Sequence, residues 1–219
     1  MTVRMATTLA DLQVEVRSHV AAVDGVSNLL PTVLAIATAI CAAFDQGGRL
    51  FAFGNGGSAA DAQHLVAELV GRFRRQRGPL PAIALTTDPS VMTAVGNDFD
   101  FASVFERQVV AYARPNDIVV AFTTSGRSPN VVNGLAAARK QGATTVLFGG
   151  GDGGEAAALA DHALLSRGDS AARVQEVHLL VLHLVSEVVD NWAGDRMSPV
   201  GNHAPARSGG RDREVGDDS

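Results

Sequence analysis

Four short, nearly continuous apolar runs rich in β-favouring side chains, at residues 50–53, 82–85, 118–122 and 145–148, restrict this chain most, and a weaker one covers 163–166. A strand that is apolar on both faces belongs in a sheet covered on both faces, which is how parallel sheets are built. Apolar residues at helical spacing fill the intervals at about 57–72, 101–113, 129–141 and 154–160. Two more helical patterns precede the first run, at about 7–23 and 27–44, with Gly47 and Gly48 closing the second. A long apolar one follows the last run, at about 171–192. Strands alternating with helices predict an α/β fold: a doubly wound five-stranded parallel sheet flanked by helices, with two N-terminal helices and a long C-terminal helix.

The chain has 219 residues, 46% of them hydrophobic, enough for one well-buried domain and too few for two. That domain is expected at 1–193. From 194 to 219 the sequence is mostly Gly, Pro, Ser, Arg and Asp with almost nothing to bury, so it reads as a disordered tail. A formal net charge of -5 gives no global basic surface for a nucleic-acid backbone or an anionic membrane, and neither is an expected partner. An anionic small molecule would need a local site. The single cysteine, Cys41, lies in an apolar run without a disulfide partner, as a small core residue would in a reducing compartment. Arg4, Asp11, Glu15 and Arg17 interrupt the N-terminal apolar residues, so no secretory pattern is visible, and a soluble cytoplasmic protein is expected.

In an open parallel sheet, ligands bind outside the carboxyl ends of the strands. Two of the loops there stand out. After the first run come Gly54, Asn55, Gly56, Gly57 and Ser58, and after the third come Thr123, Thr124, Ser125, Gly126, Arg127 and Ser128, each leading into a helix. Glycines let the backbone approach a ligand, hydroxyls donate hydrogen bonds, and a helix N-terminus offers free N–H groups, so such loops suit a phosphate. One Gly/Ser loop alone is a turn with an N-cap; two at equivalent places are a pattern. The lysine of a P-loop is missing, as is a Gly-x-Gly-x-x-Gly with an acidic ribose partner, which disfavours nucleotide hydrolysis and dinucleotides.

His64 and Glu68 are four positions apart on the helix that starts at the first loop, one turn apart on one face, close enough to share a metal ion. On the last helix Gln175 and His183 are eight positions apart, within about 80 degrees around an ideal helix, while His178 points elsewhere as a satisfied core residue would.

The string from Gly54 through Asp61 to His64, followed by Glu68, Leu69, Val70, Gly71 and Arg72, resembles the signature of bacterial phosphoheptose isomerases in the sugar isomerase (SIS) domain superfamily. Val95 to Phe99, Thr124 to Ser128, and Arg173 to His178 with His183 resemble it too, in family order over about 12–190. The resemblance implies a SIS-type, Rossmann-like domain. It implies a ketose–aldose isomerase converting sedoheptulose 7-phosphate to D-glycero-D-manno-heptose 7-phosphate by metal-assisted enediol proton transfer. One Zn2+ per subunit would sit on His64, Glu68, Gln175 and His183, with Glu68 and His183 as the catalytic proton-transfer pair. Substrate would be bound by Asn55, Gly56, Gly57, Ser58, Asp61, Glu68, Arg72, Asn97, Asp98, Thr123, Thr124, Ser125, Ser128 and Gln175. The family implies a homotetramer with sites at subunit interfaces.

Three positions depart from the family pattern: Arg127 stands for the usual Asn, Thr123 for a frequent Ser, and Ala172 for a frequent Asp. A rival of another class is a non-catalytic SIS-domain protein that binds the replication initiator DnaA, which the stretch Pro81, Ala82, Ile83, Ala84, Leu85, Thr86 resembles more. That relative lacks counterparts of Glu68 and His183, and both are present here. A sugar-phosphate-sensing regulator would need a DNA-binding domain, for which the residues before Arg49 are too few and too poor in basic side chains.

Overall fold

The computed structural model of the protein describes residues 7–196 and is centred on five parallel strands. Thr8 opens α1 (Leu9–Asp24) with a capping box, its hydroxyl accepting from the Asp11 N–H while the Asp11 carboxylate accepts from the Thr8 N–H at 2.8 Å. A 3-10 turn (Gly25–Leu29) leads into α2 (Leu30–Asp45). Then follow β1 (Leu50–Gly54), α3 (Gly57–Val70), β2 (Ala82–Ala84), α4 (Pro89–Asp98), a 3-10 turn (Phe101–Ser103), α5 (Val104–Tyr112) and β3 (Ile118–Thr123). The chain continues through α6 (Pro129–Lys140), β4 (Thr144–Gly150), α7 (Gly154–Ala157), β5 (His162–Ser166) and α8 (Ala171–Arg196).

All five expected strands are present, in the order β2-β1-β3-β4-β5 and all parallel. Alternation along each strand fills two cores. Leu50, Ala52, Ile118, Val120, Phe122, Val146 and Phe148 face α2, α3 and α8. Phe51, Phe53, Val119, Ala121 and Leu147 face α5 and α6 on the other side. This strand order reverses direction between β1 and β3, the switch point beside which such sheets form their ligand crevice at the carboxyl ends, and both glycine/hydroxyl loops emerge there.

Two elements differ from expectation. Residues 89–98 form α4, with Pro89 at its first turn and the Asp88 carboxylate accepting from Ser90 and Val91 N–H at 2.9 and 3.0 Å. Only Val95 of this helix is buried, so it carries almost no periodic apolar signal. The long last helix also runs through Gly194, Asp195 and Arg196, which sequence assigns to the tail; Arg75 Nη1 bonds Asp195 Oδ1 at 2.7 Å and the Asn191 carbonyl at 3.1 Å, tying down the last turn. The rest of that expected tail, 197–219, lies outside the described residues.

The two leading helices differ in burial. None of α1 is buried, and Leu9, Leu12, Val16 and Val20 are exposed on it. Joined by the turn, Leu9–Asp45 is long and apolar enough by composition to cross a membrane, yet α2 buries Val33, Ile36, Ala37, Ile40 and Cys41 in the core.

Candidate metal centre and substrate loops

His64 and Glu68 sit a turn apart on α3, and the packing of α3 against α8 brings His183 to them. His64 Nε2 is 3.0 Å from Glu68 Oε1 and 3.2 Å from His183 Nε2, and one ligand atom from each residue lies within 4.8 Å of the others. The two imidazoles meet edge to face at 74°, and the Phe73 ring lies over His183 at 5.8 Å. All three groups are half-buried. Burial, with His64 beside it, holds the His183 imidazole below its ordinary pKa. Two imidazole nitrogens and a carboxylate oxygen are the donors a first-row divalent ion takes. Donors around a tetrahedral zinc sit roughly 3.3 Å apart, so the spacings suit one shared ion.

Gln175, the fourth expected ligand, lies at the mouth of the first loop: a Cβ added at Gly57 would come within 2.7 Å of both its amide atoms. Any side chain at position 57 would displace that amide. Ser58 is buried in the first turn of α3, which follows Gly56, at φ 57. Asn55 reaches across the crevice to Asn130 at the start of α6 through two reciprocal 2.8 Å amide bonds, which brace one loop against the other.

The second loop follows β3. Thr123 is buried and its Oγ1 accepts from the Gly126 N–H at 3.1 Å. Gly126, at φ 66, lies against the Gly153 backbone so closely that no Cβ fits. Half-buried Thr124 and exposed Ser125 follow, and Ser128 precedes α6 without a side-chain cap bond. Arg127 folds back on its own loop, donating to the Ser125 carbonyl at 2.9 Å and to Asp152 Oδ2 at 2.7 Å.

Asp61 lies one turn before His64, buried, with Oδ2 lacking any partner among the described residues; burial raises its pKa to about 6, against the pull of His64. Arg72 is exposed just past the end of α3. Asn97 and Asp98 end α4, exposed and hydrogen-bonded to each other at 2.8 Å rather than to the trio. His178 is buried in the core as expected but only half satisfied: its Nε2 donates to the Gly149 carbonyl at 3.1 Å, its Nδ1 has no partner among the described residues, and burial pushes its pKa down to about 4. Asn130, Asp152 and the Arg77–Asp190 pair described below were not singled out from sequence. Asp190 left little signal: it follows His183 by seven residues in a largely apolar helix, but Glu176, Glu187 and Asp195 are acids of the same helix.

The SIS domain family matches residues 21–150. A phosphoheptose isomerase of Aquifex aeolicus is 47% identical over 164 residues, 75% of this chain and 86% of that protein. The chain belongs to the phosphoheptose isomerase family of SIS-domain proteins. Solved structures of this family superpose well. That of the Neisseria gonorrhoeae phosphoheptose isomerase has a TM-score of 0.78 at 35% identity, covering 84% of this chain and 100% of that one. The Francisella tularensis enzyme gives 0.82 at 33%, covering 84% and 99%. The family match over 21–150 takes in both glycine/hydroxyl loops with His64 and Glu68, while His183 lies beyond it on α8.

Proposed function

We propose that this protein is a cytoplasmic ketose–aldose isomerase that interconverts sedoheptulose 7-phosphate and D-glycero-D-manno-heptose 7-phosphate. The convergence of His64, Glu68 and His183 on the helix that begins at the first phosphate-suited loop and on α8, in a chain of this family, carries the reading. A zinc ion on that trio, with Gln175 as a fourth donor, would polarise the carbonyl and offset the negative charge that develops in the enediol.

The protein's own groups do the rest. Ser58, Ser125 and Ser128 hold the phosphate with the N–H groups that open α3 and α6. Asn55, Thr123 and Thr124 face the sugar hydroxyls. Glu68 takes the proton from the hydroxyl-bearing carbon beside the carbonyl and returns it to the former carbonyl carbon. His183, its imidazole held below its ordinary pKa by burial and by His64 beside it, moves the second proton between the two oxygens. Asp61 stays close to His64 as a carboxyl poised between its two charge states.

Asn97 and Asp98 are exposed at the end of α4 and Arg72 is exposed just past the end of α3, one turn beyond Glu68, and we assign them to the site of a neighbouring copy in a homotetramer. The exposed apolar stripe on α1 and α2, with Leu12, Val16, Val20 and Leu34, supports such an assembly.

The decisive experiment incubates purified protein with sedoheptulose 7-phosphate, follows aldose formation by NMR, and runs pentulose and hexulose phosphates alongside. Fastest turnover of the heptulose, lost on chelation and restored by Zn2+, is expected. Turnover of none of them would sink the reading and favour the DnaA-binding relative.

A further inference from the structure

The segment between α3 and β2 supplies the most deeply buried ion pair among the described residues. Arg77 and Asp190 are 1% and 2% exposed and meet at 2.8 Å. Arg77 uses four of the five N–H donors of its guanidinium: Nε donates to Asp190 Oδ1, Nη1 to the carbonyls of Leu69 and Gly78 at 2.9 Å each, and Nη2 to the carbonyl of Glu68 at 2.7 Å. Asp190 Oδ2 accepts from the Arg74 and Arg75 N–H groups at 3.0 and 2.7 Å. Burial alone would raise the Asp190 pKa; these N–H bonds and Arg77 outweigh it and hold the carboxylate below its ordinary value, ionised.

The placement matters more than the strength. Glu68, whose carbonyl Arg77 grips, is itself one of the trio, and Asp190 lies seven residues after His183, nearly the same face of α8 two turns on. The last carbonyls of α3 have no partner within their helix, and Arg77 takes two of them. A buried ion pair is a weak source of net stability compared with an apolar contact of the same size. What a planar guanidinium fork adds is orientation, because it accepts its partners in one geometry where packed aliphatic side chains can slide. A metal centre split between two helices needs its ligands held to within about 0.5 Å.

We infer that Arg77 and Asp190 are positioning residues of the metal centre, locking the C-terminal end of α3 to α8 so that His64 and Glu68 stay in register with His183. This rests on the metal reading above. The pair touches none of the three ligand side chains and acts only through the helices that carry them.

The test sets Asp190→Asn and Arg77→Lys against Asp117→Asn, which neutralises a similarly buried carboxylate, 3% exposed, just before β3 and outside α3 and α8. Zn2+ affinity is measured by competition with a chromogenic chelator, beside thermal midpoint, kcat and KM for the heptulose phosphate. Both variants of the pair are expected to weaken Zn2+ about 10-fold or more and to lower kcat at nearly constant KM, since the phosphate loops lie elsewhere. Asp117→Asn should lower the midpoint with Zn2+ affinity unchanged. Affinity within about twofold of wild type in the pair variants, or an equal loss in Asp117→Asn, overturns the inference. If Asp190→Asn fails to fold, Arg77→Lys decides alone, because it keeps the buried charge and removes the fork. Wild-type protein that binds no Zn2+ would sink the metal reading and this inference with it; that outcome is read without any variant, so the two failures are told apart.

Discussion

Two edges of the molecule use the same kinds of polar residue and treat them oppositely. At the amino-terminal edge Asp117 accepts from Arg49 N–H at 2.8 Å, Arg114 N–H at 2.9 Å and the Arg49 guanidinium at 3.0 Å, while Asp161 accepts twice from Thr145 at 2.9 Å. At the other edge, on α3 and α8 around the trio, Asp61 Oδ2 and His178 Nδ1 are buried with no partner among the described residues, and the side chains of His64, Glu68 and His183 bond only around their own triangle. Satisfied buried groups hold strands in register, whereas unsatisfied ones cost stability and remain available to a ligand. The contrast separates groups that keep the strands in place from groups on the covering helices that do chemistry.

Glu68→Gln tests the chemical edge with the largest expected effect. It preserves shape and removes the proton acceptor, so kcat should fall roughly 100- to 10,000-fold while the thermal midpoint stays near wild type. Activity within about threefold would remove Glu68 as the base.

Asp61→Asn should act on stability at the same edge. An acid raised from 3.8 to about 6 in the folded state stabilises below its unfolded value, and that contribution is lost as pH rises through about 6. In metal-stripped protein the substitution should therefore stabilise at pH 8, by at most about 3 kcal/mol, with the gain fading below about pH 4. A stabilisation that does not depend on pH would break the argument.

Asp117→Asn probes the other edge: a loss of about 2 kcal/mol in denaturant unfolding, with kcat unchanged. A large loss of kcat would show that the two edges are coupled rather than divided. The smallest effect is expected from cutting the chain after Arg196, which keeps the Arg75–Asp195 contact. We propose that oligomeric state by light scattering and turnover stay within about twofold, since 197–219 offers almost no apolar side chain. A dissociated oligomer would place those residues in a subunit contact.

The strands, the helices with a clear apolar period and the His64/Glu68 pair were legible because each signal is local: strand residues 50–53 are apolar on both faces, and an i, i+4 pair shares a face wherever its helix goes. The Gly/Ser loops were legible for the same reason. Residues 89–98 were not, because α4 buries one side chain and its start is written only in Asp88 and Pro89.

By itself the sequence determined an α/β domain with its ligand loops at the carboxyl ends of β1 and β3, since strand alternation and parallel connectivity leave few other arrangements. Tertiary structure alone decided that His183 closes on His64 at 3.2 Å across 119 residues, that Asn55 pairs with Asn130, and that Arg77 reaches both Glu68 and Asp190. Those contacts depend on how α3 settles against α8 and β1 against β3, a sum of many weak packing terms over the whole core that no short stretch of sequence carries.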